Sequence, residues 1–139
     1  MILYHITPHR KVKSILRGGL VPPTYLSNKR DLNKWVLSAL IHFYNSGRGG
    51  SLSILEVTVP NNWFYDGSQI YKRSADIAPE YIVGERIHQS RVKLLQILPV
   101  RETVNRGIKE RWLMQVLRSG KEVRPKSKSR KRKQFARFS

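Results

Sequence analysis

There is no cysteine among the 139 residues. Disulfides and thiolate metal sites are therefore excluded, and the redox compartment is left open. Acidic residues are scarce, with 9 Asp and Glu against 27 Lys and Arg. No apolar run approaches the length of a membrane span, and the N-terminus lacks a signal-peptide pattern. No internal repeat is present. The GxSxG elbow, the P-loop and GxGxxG are all missing, which removes three common catalytic and nucleotide-binding devices. His5 and His9 are four apart, but Pro8 intervenes and no acid lies near, so no metal site is expected. What is there is a chain with 40% hydrophobic residues, enough for one domain with one core.

The formal net charge is +18. Such an excess predicts an anionic partner, nucleic acid ahead of an anionic membrane surface. Residues 121–139 hold nine Lys and Arg, including Arg130, Lys131, Arg132 and Lys133, and one acid, Glu122. This low-complexity stretch cannot bury enough apolar surface to fold alone, and is expected to be a disordered tail until bound. Without it, residues 1–120 keep about +10, which predicts a basic face on the domain as well. The expected organisation is one domain over 1–120 and a tail over 121–139, monomeric and cytoplasmic, or in a host's cytoplasm if the protein is an effector or phage product.

Taken in order, residues 2–5 read as a short strand. Thr7 fits an N-cap and Pro8 a first helical position. Val12, Ile15 and Leu16 share a helical face, and Gly18-Gly19 stops that helix. Tyr25-Leu26-Ser27 is a short strand. Asp31 is the next cap candidate, followed by Leu32, Trp35, Val36, Ala39, Leu40 and Phe43 in the clearest amphipathic helix of the chain. The glycines around Arg48 break it. Residues 52–59 alternate as a strand up to Pro60. Residues 60–79 read as an irregular loop, and loops of that length in small domains are often functional. Strands follow at 81–83 and 92–98, and a last helix over Glu102 to Arg118 with a stripe of Ile108, Trp112, Leu113, Val116 and Leu117. The order strand, helix, strand, helix, then mostly strands indicates an α+β fold.

Three residues attract a chemical reading. His5, at the end of an apolar strand, is either a histidine satisfied within the fold or a hydrogen-bonding partner for a ribose hydroxyl. Tyr25 is either a packed strand aromatic or a flat ring for a heteroaromatic base. Glu80 opens an apolar strand. Its carboxylate either faces solvent or enters a cleft, where it could hold a ribose hydroxyl and stabilise positive charge at an anomeric carbon. Trp63, Phe64, Tyr65 and Tyr71 interleave with Lys72 and Arg73, a combination suited to an unpaired base, though the rings also serve to pin the loop to the core.

The order of these motifs resembles the ADP-ribosyltransferase superfamily, in its histidine–tyrosine–glutamate branch with the poly-ADP-ribose polymerases and diphtheria-like toxins. The likeness rests on His5-Ile6-Thr7, Tyr25-Leu26-Ser27 and Glu80-Tyr81-Ile82-Val83. The opening LYHITPHRKVKSILRGGL is also similar to that of DarT-type DNA ADP-ribosyltransferases and, more loosely, of RNA 2′-phosphotransferases. The likeness covers roughly residues 2–98. It implies a split β-sheet with small flanking helices, NAD as the substrate and a catalytic set of His5, Tyr25 and Glu80. His5, Ile6, Thr7, Tyr25 and Ser27 would bind NAD. Within this set, His5 would hold the adenine-side ribose, the Ile6 backbone the nicotinamide amide, and Glu80 the nicotinamide ribose. Trp35 would add a second stacking surface, although its helical period places it in the core.

Three departures stand out. Ile6 replaces the family's usual glycine, which tightens the pocket floor. Ala78 stands two residues before Glu80, so the arginine-modifying pattern is absent. The phosphotransferases use several Arg and His in place of a Glu, roles open here to Arg10, Arg30 and Arg86.

The leading expectation is ADP-ribosyl transfer from NAD to a nucleic acid or a nucleic-acid-associated protein, with Lys72, Arg73 and Arg130 to Lys133 on the acceptor. The alternatives are RNA 2′-phosphate transfer on the same fold and a non-catalytic nucleic-acid-binding protein. The acceptor atom and the biological setting, whether toxin, phage weapon or RNA processing, are left open.

Overall fold

The computed structural model describes residues 1–47, 50–66 and 69–106, except the side chains of Tyr65 and Asp66. The outer part of the expected last helix and the whole basic tail, with Arg130, Lys131, Arg132 and Lys133, lie outside the described residues.

The class is α+β, built on two three-stranded antiparallel sheets. In the first, β1 (Ile2–Pro8) pairs with β3 (Ser51–Thr58), which pairs with β6 (Val92–Pro99). In the second, β5 (Glu80–Val83) lies between β2 (Thr24–Leu26) and β4 (Ile70–Arg73). The helices are α1 (Val12–Gly18), α2 (Leu32–Asn45), the short α3 (Asn62–Asp66) and α4 (Val100–Asn105). The sheets meet at a single bridge. Tyr4 N–H donates to the Ser27 carbonyl at 2.8 Å, and Ser27 N–H returns to the Tyr4 carbonyl at 2.9 Å.

The middle strand β3 explains the layering. Its residues alternate between two covered faces, so it buries apolar side chains, Leu52, Ile54, Leu55 and Val57, on both. Leu52 and Ile54 pack with Leu32, Val36 and Leu40 of α2 and with Tyr4 and Leu98. Leu55 and Val57 pack on the other side with Leu3, Val12, Leu26, Ile70 and Val83. The second cluster joins the two sheets and α1. A register shift between Ile54 and Leu55 sets Leu55 opposite Leu94 after Ile54 opposite Gln96, leaving one extra residue in β6, a bulge that sharpens the local twist.

Four local expectations are corrected. Thr7 and Pro8 do not open a helix. They stay in β1 opposite Ser53 and Leu52, and Pro8 is extended with ψ 139, because the ladder and the burial of Thr7 outweigh a cap. A 3-10 turn, His9–Lys11, then leads into α1. Asp31 occupies the N-cap of α2 but makes no capping bond. Instead its own N–H donates to Asn28 Oδ1 at 2.8 Å. Residues 60–79 are not a plain loop: they carry α3 and β4, because pairing with β5 gives Ile70 a buried place opposite Val83. The last helix begins at Val100, ahead of Glu102, with Val100 and Thr103 buried.

Candidate active site

A cleft of about 470 Å³ lies at the split between the sheets, within the usual range for small-molecule sites. Its walls come from β1, β2, the exposed flank of α2 and the first residue of β5. It brings together every residue expected from sequence to form the small-molecule site: His5, Ile6, Thr7, Tyr25, Ser27, Trp35 and Glu80. Trp35 is therefore not a core residue. It is half-buried, and its indole N–H donates to the Pro79 carbonyl at 3.3 Å, tying α2 to the residue before Glu80. Ser38 and His42, one and two turns on, also reach the cleft. The helical spacing from Trp35 was the signal that could have found them.

His5 is held by its Nδ1, 3.0 Å from the Tyr25 carbonyl oxygen. A carbonyl only accepts, so Nδ1 carries the proton and donates. In the neutral ring Nε2 is then a free acceptor. Burial pushes the imidazole below its ordinary value; the Tyr25 bond opposes this and the Lys11 charge adds to it. A neutral ring with a bare Nε2 suits a hydroxyl donor such as a ribose.

Strand alternation fixes the Ile6 backbone. Tyr4 spends its N–H and C=O on Ser27, away from β3. Ile6, two residues on, has the same polarity, so its N–H and C=O point over the open edge of β1, past the bridge and into the cleft. One donor and one acceptor side by side match a carboxamide. The Ile6 side chain packs into the cluster under α2 while also lining the cleft. Thr7 and Ser27 are buried, and the Ser27 hydroxyl donates to the Asn28 carbonyl at 3.3 Å.

Glu80 is paired. Arg73 stands directly opposite it across β4 and β5. Arg73 Nε donates to Glu80 Oε2 at 3.0 Å, and Nη2 makes a shorter bond to the same oxygen. The Glu80 bond and charge raise Arg73 above an arginine's ordinary value, with smaller contributions from Tyr25 and Tyr71. Arg73 is expected from sequence to touch an acceptor; its grip on the carboxylate is not, because the register of β4 on β5 is not readable from sequence.

His9 is accounted for elsewhere, its Nδ1 2.7 Å from the Ser53 hydroxyl. Among the described residues no cluster of three His, Cys, Asp or Glu could hold a metal ion, and no helix is long and apolar enough to cross a membrane. No protein-family model, curated protein or solved structure matches the chain.

Proposed function

We propose that the chain is an NAD-dependent ADP-ribosyltransferase on a split-sheet fold of that superfamily. One observation carries the reading: an imidazole acceptor, an open backbone donor–acceptor pair and a carboxylate, distant in sequence, border a single cleft. That set matches a dinucleotide with a carboxamide at one end and ribose hydroxyls between. Ile6 holds the carboxamide, Tyr25 lies against the nicotinamide ring, and His5 Nε2 accepts from a ribose hydroxyl. Glu80, once clear of Arg73, accepts from the hydroxyl of the reacting ribose.

The reaction breaks the glycosidic C–N bond. The bonding pair goes to the ring nitrogen, so nicotinamide leaves neutral. The anomeric carbon becomes oxocarbenium-like, and Glu80 stabilises that charge through the ribose. A nucleophilic N or O of the acceptor then attacks, and its proton passes to solvent. The charge of +18 selects a nucleic acid as the acceptor, positioned through its phosphates.

The phosphotransferase alternative needs several arginines at the site. Arg86 instead donates to the Gly18 carbonyl at 2.8 Å, and neither Arg10 nor Arg30 lines the cleft.

The test is labelled NAD with single-stranded DNA, duplex DNA, tRNA or a protein extract, wild type beside Glu80→Gln. The expected outcome is label on a nucleic acid and nicotinamide release, both falling about 10²–10³-fold in the variant, as for loss of one transition-state stabiliser. A cyclic phosphate product would favour the phosphotransferase. No release in any mixture, with nucleic-acid binding intact in both proteins, would establish a binding protein on this fold.

A further inference from the structure

The second sheet has an outer face that the cleft only partly uses. Residues opposed across an antiparallel pair share a face, as do residues two apart on one strand. Tyr25 and Tyr71 both stand opposite Ile82, and Arg73 opposite Glu80. These five therefore lie on one face, the reverse of the one that buries Leu26, Ile70 and Val83. Ile82 is buried between two exposed rings, Tyr25 at 47% and Tyr71 at 55%. The Arg73 guanidinium lies 5.9 Å from the Tyr25 ring centroid. Its side chain is 53% exposed and covers Glu80, whose side chain is 11% exposed. Lys72, the neighbour of Arg73 on the strand, stands opposite Tyr81 and so lies on the reverse face.

The chemistry of this face selects its occupant. Two exposed rings beside an apolar residue offer stacking surfaces for planar bases. A guanidinium fork fits a phosphate as well as a carboxylate. The excess of positive charge on the chain complements a polyanion. A duplex keeps its base faces stacked inside and cannot use the tyrosines, whereas a single strand presents base faces and phosphates together.

We propose that this face binds a single-stranded nucleic acid, a base stacked on Tyr71, with Arg73 leaving Glu80 for a backbone phosphate. The binding claim stands on the face alone. Its consequence rests on the transferase reading above: the strand that accepts ADP-ribose also uncovers the carboxylate needed to cleave the donor. In the absence of the strand, Arg73 covers Glu80 and limits loss of donor to water. The exchange breaks no covalent bond, since one guanidinium moves between two anions.

The experiment uses the full chain in two arms. In the first, a short labelled oligothymidylate is titrated by fluorescence anisotropy across a range of salt, against wild type, Tyr71→Ala, Arg73→Gln and Arg73→Lys. Tyr71→Ala should weaken single-strand binding about tenfold, the loss of one stacked base, and leave duplex binding unchanged. Arg73→Gln should weaken it and reduce the salt slope by about 0.7, one phosphate contact; Arg73→Lys should keep the slope. Thermal midpoints like that of wild type show that the variants are folded. Single-strand binding unchanged in both Tyr71→Ala and Arg73→Gln, or lost equally for duplex, would overturn the site.

The second arm measures nicotinamide release with and without the oligonucleotide. Wild type should be stimulated by it, while Arg73→Gln should release more without it and lose the stimulation. Lower release in Arg73→Gln under both conditions would overturn the coupling, as would label reaching only protein acceptors. If wild type releases nothing anywhere, the transferase reading fails and the coupling with it, and the first arm still decides the binding face.

Discussion

A single carbonyl oxygen settles the state of His5. Because the Tyr25 carbonyl only accepts, the imidazole must donate from Nδ1, and burial resists a second proton. The folded value therefore lies below the unfolded one, 6.5. Between the two, the unfolded chain binds more protons than the folded one, so His5 costs stability as pH falls through 6.5 towards the folded value. Thermal midpoints followed from about pH 8 to about pH 5 should fall more steeply in wild type than in His5→Gln. Equal slopes would mean that His5 protonates freely in the fold. His5, Tyr25 and Glu80 stood out as candidates by side-chain type, an imidazole, a phenol and a carboxylate each at a strand, and it was the likeness in motif order that grouped them into one site. Pairwise contacts were not legible. Glu80 meets Arg73 only because β4 pairs with β5 in one register, and a shift of one residue would send Arg73 to the opposite face.

Among the elements, α2 was the easiest to read. Its buried stripe of Leu32, Val36 and Leu40 recurs at helical period, and the period alone predicts the packing face. The start of α1 was misplaced for the opposite reason. A local capping pattern at Thr7 and Pro8 competes with ladder pairing to a strand more than forty residues away, and the non-local pairing prevails. The end of α1 is set by Gly19 at φ 85. A Cβ there would also collide with the Ile87 carbonyl, where Leu20 and Ile87 exchange backbone bonds of 2.9 and 3.0 Å. Gly47, at φ 77, has open space instead. Gly47→Ala should therefore cost only the backbone strain, about 1–2 kcal/mol. Gly19→Ala should cost more, since the chain near Ile87 must also move. Urea midpoints of the two variants make the comparison, and equal losses would show that the close approach at Ile87 relaxes freely.

At the scale of the molecule the dominant quantity is charge. Of the 27 basic residues, nine fall in residues 121–139, and each phosphate neutralised contributes about 0.7 to the salt slope on a single strand. Replacing Arg130, Lys131, Arg132 and Lys133 with Gln should lower that slope by up to about 3 and weaken single- and double-stranded nucleic acid alike. Tyr71→Ala should spare the slope and act on single strands only. A quadruple variant with an unchanged slope would place the phosphate contacts elsewhere on the chain.

The sequence by itself determined the α+β class, the main helix and most strands, the absence of disulfides and the excess of positive charge. These follow from composition and period, which act locally, whereas the cleft residues were singled out by the likeness in motif order. Only the tertiary structure decided that β4 exists, that Ser38 and His42 reach the cleft, that the Ile6 backbone edge is open and that Arg73 closes on Glu80. Each of these depends on which strands pair and in what register. Pairing is settled by burial summed over both sheets, and no local window of residues contains that sum.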